Sequence, residues 1–140
     1  MLVISFFIMY GVMFLNVDKL DHIYVSTTRA YMSLLMVSPM AIFMLLMMGH
    51  MYQNKKLNVI IIISGVAVFA IALALLRTQT PVQDEQYMKA MIPHHSSAIM
   101  VSQKATLKDP ELKELSKQII ESQEKEIAQM KRILERIKNK

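Results

Sequence analysis

The stretch Val59–Leu76, VIIIISGVAVFAIALALL, decides the architecture: it is eighteen residues long and carries no charge. A helix that crosses the hydrocarbon core of a bilayer needs roughly 20 apolar residues, with about 17–25 as the working range. The β-branched start Val59–Ile63 favours a strand by propensity. The run is too long for a strand and shows no polar alternation, so it reads as a helix. Working outward, Leu2–Val17 and Ala30–Tyr52 are two more nearly uncharged runs. The first has no basic leading segment and no small-x-small cleavage pattern before Asp18, so it reads as a retained helix rather than a signal peptide. The expectation is an all-α chain with three transmembrane helices, at about 2–17, 30–52 and 59–76.

Composition agrees with a membrane protein and excludes several alternatives. The 140 residues are 54% hydrophobic and 19% charged, with three Gly, four Pro and no Cys. A disordered tail, a collagen-like fibre, a disulfide-stapled module and any thiolate chemistry are thereby excluded. The net charge of +5 is spread along the chain rather than clustered, which argues against a nucleic-acid partner. Residues 1–80 hold five Lys/Arg and two acids, whereas residues 81–140 hold eleven basic and nine acidic residues. The domains are therefore expected at 1–80, in the membrane, and 81–140, outside it. Lys55 and Lys56 in the short loop 53–58 place that loop in the cytoplasm by the positive-inside rule, while Lys19, Arg29, Arg77 and Lys89 pull the other way. Charge alone leaves the orientation open.

Beyond Pro81 the pattern predicts a helical hairpin. Its first helix is expected from Val82 to Thr106, kinked at Pro93, because proline removes one backbone hydrogen bond. Asp109-Pro110-Glu111 is a helix start: an N-cap acid, proline at the first position and an acid in the first turn. Leu112, Leu115 and Ile119 open an apolar seam that Ile120, Gln123, Ile127, Met130, Leu134 and Ile137 continue at 3-4 spacing. Two helices cannot close a core alone, so two hairpins are expected to pair into a four-helix bundle, making the chain a homo-oligomer.

The residues with chemistry lie in Met88-x-x-Met91-Ile92-Pro93-His94-His95-x-x-Ala98-Ile99-Met100. At about 100° per residue, Met88, Met91, His95 and Ala98 share one face, and His94 lies one step round from it. Gln123, Ile127 and Met130 are expected across the hairpin. Thioether sulfur with imidazole suits Cu(I), or Ag(I), and no carboxylate is expected on this face to favour a harder metal. The carbonyl left without a partner by Pro93 offers to orient a histidine ring. The competing reading is plain packing, since methionine at helical spacing is common core filler.

These two segments resemble the domain-of-unknown-function 305 family. The likeness rests on the Met88–Met100 pattern, the Asp109-Pro110-Glu111-Leu112 turn and Ile119-Ile120-x-x-Gln123-x-x-Glu126-Ile127-x-x-Met130, and it covers residues 84–137. It implies a ferritin-like helical bundle and a copper-binding protein of an extracytoplasmic compartment, anchored here in the inner (cell) membrane. Carried over by position, the ligand set is Met88, Met91, His94, His95 and Met130, with Gln123 and Glu126 as supporting polar residues. Soluble members carry a duplicated hairpin, whereas this chain has one copy, which again implies pairing between chains.

Two other clusters stand beside this. Met32, Met36, Met40, Met44, Met47 and Met51 fall on one arc of the second run with His50, either a conduit for Cu(I) or Ag(I) or ordinary apolar surface. Asp18, Asp21 and His22 in the first loop read as a solvated cluster rather than a cation site. The chain lacks Glu-x-x-His, H-E-x-x-H, a phosphate loop and a nucleophile elbow. No Asp on the Ser96–Ser97 helix orients a histidine base. No catalytic activity is expected. The function expected is Cu(I) sequestration or handover to a copper-handling partner, the alternative being a helical membrane scaffold without a metal role.

Overall fold

The computed structural model describes residues 2–48, 51 and 53–139. Among them are five α-helices and one short 3-10 turn, with no strand: α1 (Leu2–Val12), the turn Leu20–His22, α2 (Thr27–Met47), α3 (Lys55–Thr78), α4 (Asp84–Lys104) and α5 (Pro110–Lys138).

The chain divides into two compact units. The first comprises the described residues of Met1–Met13 and Thr27–Pro81, the second those of Phe14–Ser26 and Val82–Lys140.

In the first unit two helices, not three, have the length and composition to cross a membrane: α2, with 21 residues, and α3, with 24. The expected first span is the one that shortens. α1 has 11 residues, which at 1.5 Å per residue reach about 16 Å, roughly half a hydrocarbon core. The apolar run continues past Val12 but the helix does not, because Met13–Asn16 form turns. The Arg29 guanidinium donates to the Met13 carbonyl there, supplying a partner and a positive charge to the helix C-terminus. α2 begins at Thr27, three residues before the apolar run, and passes through Pro39. α3 is capped by Asn54, whose side-chain oxygen accepts from the Leu57 N–H at 3.1 Å. Gly65 lets α2 and α3 approach closely, since a Cβ on it would lie 3.1 Å from Ile42 Cγ1.

The methionine row of the second run lies on the outside of this unit. Met32, Met36, Met40, Met47 and Met51 are exposed, Met44 is half-buried, and Ser33, Val37, Ser38, Ala41 and Leu45 form the buried face of α2. His50 lies outside the described residues.

In the second unit α4 and α5 form the hairpin, and α4 runs unbroken through Pro93 from Asp84 to Lys104. The Asp109 carboxylate accepts from the Leu112 N–H at 2.9 Å, and Pro110 opens α5. Ile92, Ile99 and Ile127 make the core, with Tyr24, Ile120 and Met130 packed against it. Tyr24 belongs to the loop between α1 and α2. That loop is thus a strap on the hairpin, a role that the domain boundaries at 80/81 do not give it.

Candidate functional site

The 4-residue period of α4 places His95 one turn after Met91, and the ring bonds back to that turn. His95 Nδ1 donates to the Met91 carbonyl at 2.9 Å. Proline at 93 frees the carbonyl four residues earlier, on Lys89. A carbonyl does hold the ring, as expected, but it is not the one Pro93 leaves unpaired. On the other side of the ring, His95 Nε2 lies 2.7 Å from Glu126 Oε2 on α5. The second carboxylate oxygen of Glu126 accepts from Ser122 Oγ at 2.8 Å. The hydrogen bonds from Ser122 and then from His95 hold the Glu126 carboxyl below the usual carboxylate range. A carbonyl and a carboxylate both accept, so each ring nitrogen of His95 faces an acceptor. His95 is buried, while Glu126 reaches solvent.

The five expected ligands divide. Met91, His95 and Met130 line one surface cleft of about 300 Å³, together with Tyr87, Glu126, Gln129 and Ile133. Met88 is buried on the adjoining face and is not part of the cleft wall. His94 is exposed, its ring centroid 6.1 Å from that of His95, and it is not among the residues that line the cleft. Gln123 buries its side-chain oxygen with no hydrogen-bond partner among the described residues. Ile127, expected opposite His95, lies in the core. The face also holds the carboxylate of Glu126, which helical spacing on α4 did not predict and which the family resemblance gave as a supporting polar residue.

The cleft therefore offers two thioethers, one imidazole and one carboxylate. That set fits a soft cation better than a hard one. No group of three or more His, Cys, Asp or Glu is poised round one ion among the described residues, so a zinc- or calcium-type cage has no basis there.

A second polar centre lies where α4 meets the strap. Ser96 is fully buried, on the same side of α4 as Ile92 four residues before it and Ile99 three after. Its hydroxyl oxygen accepts from the Asp18 backbone N–H at 2.8 Å and lies 2.8 Å from His22 Nδ1. Asn16 donates to Ser97 Oγ at 2.7 Å, and Lys131 on α5 pairs with Asp21 at 2.5 Å. Burial, then the nearby Lys131 cation, hold His22 below the ordinary histidine range, against the opposing pull of Asp21. The hydrogen bond from Lys131 lowers the Asp21 carboxyl. The loop cluster is thus built into the unit, and His22 is not solvated. Ser96 is fully buried, and its hydroxyl fastens the strap to α4 through Asp18 and His22. The sequence signal for it was a small polar residue set between two isoleucines on a buried helix face, where a partner is obligatory.

Comparison with known proteins adds identity. A curated relative, "Uncharacterized protein L153" of Acanthamoeba polyphaga mimivirus, is 39% identical over 107 residues, covering 75% of this chain and 68% of its own length. No solved structure matches. The family model described as "Domain of unknown function (DUF305)" matches residues 45–134. That match begins well before the 84–137 segment that carried the motifs and takes in the whole of α3. With well over half of its length matched, the chain belongs to the domain-of-unknown-function 305 family.

Proposed function

We propose that this chain is a membrane-anchored copper-binding protein that sequesters Cu(I), or hands it to a copper-handling partner, without catalytic activity. The single observation that supports this is the cleft that Met91, His95 and Met130 share. Thioethers remain neutral ligands in an oxidising compartment, where thiols do not persist. Ag(I), with the same softness, is expected to compete. For copper to bind His95 Nε2, the ring must give up its proton there and Glu126 must move aside. The carboxylate then balances the charge of the incoming cation.

The anchoring follows from α2 and α3. In this reading α2 and α3 each cross the bilayer, which returns the chain to one side of it and suits the strap and the hairpin belonging to one compact unit. The loop with Lys55 and Lys56 is then on the opposite side. Lys19, Arg29, Arg77 and Lys89 offset Lys55 and Lys56, so charge leaves the side open, and the extracytoplasmic hairpin of this reading is taken from the family resemblance.

The test is a Cu(I) titration of the full chain in detergent against a chromophoric Cu(I) chelator. His95→Ala is expected to weaken the tightest site by about 100-fold or more while far-UV circular dichroism stays unchanged. Parent-like affinity in the variant rejects the ligand assignment. The scaffold reading is favoured by one observation, that both nitrogens of His95 already have protein partners. It predicts no stoichiometric copper in the parent chain.

A further inference from the structure

The strap is built inside out. Its polar groups turn inward: Ser26 is 2% and His22 6% exposed, and the Asp18 N–H and His22 both meet the buried hydroxyl of Ser96. Asn16 bonds to Ser97, and Asp21 holds Lys131. Among the apolar side chains, Tyr24 packs on the isoleucine core, and Phe14 and Val17 are half-buried. Leu15, Leu20 and Val25 do the opposite, at 80%, 84% and 73% exposed, and Ile23 is 41% exposed. A loop in water shows the reverse distribution, with polar groups outward and its few large apolar ones packed beneath. One exposed leucine needs no explanation. A short segment that hides its imidazole and shows its leucines marks a contact surface.

Continuity of the chain identifies what covers it. The strap runs from one apolar helix to another: α1 ends at Val12 and α2 begins at Thr27. In the membrane reading above, the 21 residues of α2 rise about 31 Å, the thickness of a hydrocarbon core, so Thr27 stands at its boundary. Val25, two residues earlier, is within about 7 Å of that boundary, roughly the depth of one headgroup layer. Leu15 comes three residues after the end of α1. Lys19, exposed beside Leu20, suits the same layer, with an aliphatic stem for the apolar side and an ammonium for the phosphates. The attached helix thus brings a lipid surface to this segment without any partner protein.

We propose that the strap is an interfacial element: Leu15, Leu20 and Val25 sink into the boundary between lipid headgroups and acyl chains, while Asp18, Asp21 and His22 hold the hairpin from the other face. The strap thereby ties the hairpin to lipid through side chains as well as through the backbone. The proposal rests on the membrane reading of α2 and α3 and is independent of copper.

The chain has no tryptophan, so a single one reports its surroundings cleanly. The full-length chain is reconstituted in phosphatidylcholine vesicles, with or without lipid brominated near the headgroup end of its acyl chains, a short-range quencher. Leu20→Trp, and independently Leu15→Trp, are expected to emit to the blue of tryptophan in water, with far-UV circular dichroism as in the parent. Each is expected to lose several-fold more emission to the bromine than Lys117→Trp, whose site on α5 is exposed. Ile63→Trp, at an exposed position of α3, checks the membrane reading and is expected to be quenched by bromine deeper in the acyl chain. Quenching at 63 without quenching at 15 and 20 overturns the strap proposal and leaves the membrane reading standing. Water-like emission at 20 then puts the strap in solvent, and blue-shifted emission puts it against protein. Equal quenching at 20 and 117 also overturns the proposal, since the whole hairpin then lies in lipid. Absence of quenching at 63 overturns the membrane reading, and the strap proposal falls with it.

Discussion

The two sides of α4 each hold a buried histidine ring, and the two rings are held by different partners. On the strap side, His22 Nδ1 lies 2.8 Å from the Ser96 hydroxyl and Nε2 3.7 Å from the Asp21 carboxylate, and burial keeps the ring below its ordinary range. On the cleft side, His95 sits between the Met91 carbonyl and the Glu126 carboxylate, at the wall of an open cleft. The residue type is the same, and its position on the helix differs by little. What separates a fastening from a candidate ligand is the company each ring keeps: His22 lines a cleft with Asp18, Asp21 and Lys131, whereas His95 lines one with the thioethers of Met91 and Met130. Neighbouring residues of one helix, Ser96 and His95, supply the two arrangements.

The largest expected effect comes from breaking the strap side. Ser96→Ala leaves the Asp18 N–H and His22 Nδ1 without their buried partner, which costs about 1–3 kcal/mol. Thermal unfolding of the hairpin followed by far-UV circular dichroism is expected to fall accordingly, with faster hydrogen exchange at residues 16–22. Cu(I) affinity is expected to hold, because no cleft residue is touched. Glu126→Ala on the cleft side is the matched cut. Its carboxylate is half exposed, so stability is expected to change far less than in Ser96→Ala, and strap exchange is expected to stay as in the parent.

Acidity sharpens the contrast further. The folded state depresses the His22 pKa from the ordinary 6.5, so the unfolded chain takes up the proton first as pH falls. Stability from the strap is therefore full above about 6.5, declines as pH drops through that value, and levels off once the folded ring is itself protonated. Hydrogen exchange at residues 16–22 is expected to speed up between neutral and mildly acidic pH, and His22→Gln is expected to flatten that dependence. The smallest effect is assigned to Lys131→Gln. The Lys131–Asp21 pair is partly exposed and contributes no more than about 1 kcal/mol. Removing the Lys131 cation, which helps to hold the His22 pKa down, is expected to move the ring's own titration to higher pH in NMR and so to shrink the acid loss of strap stability.

Much of this fold was legible because it is local. The Asp109 cap, the Pro110 start and the α5 core positions Ile127 and Leu134 follow from spacing within one or two turns. So does the co-location of Met91 and His95 on one edge of α4. The failures are of two physical kinds. α1 stops at Val12 although the apolar run goes on to Val17, because Arg29, from the next helix, satisfies the Met13 carbonyl. Composition does not encode that tertiary contact. Likewise the family resemblance gave Glu126 a supporting role, but only the packing of α5 on α4 shows that the residue it supports is His95. The Ser96–His22 pair spans 74 residues of sequence and no periodicity links its members. The sole trace is a serine where the helix face calls for an apolar residue.

The strap has a further consequence for how the protein is made. Its contacts with the hairpin join residues 74, 78, 81 and 110 positions apart, separations at which loop closure is slow. A ribosome finishes residues 14–26 long before α4 and α5 exist, and two apolar helices must be delivered in between. The nascent chain thus carries Asp18, Asp21 and His22 in a provisional, hydrated form until the final third of the polypeptide arrives. Any message truncated ahead of codon 96 would leave that segment with nothing to grip.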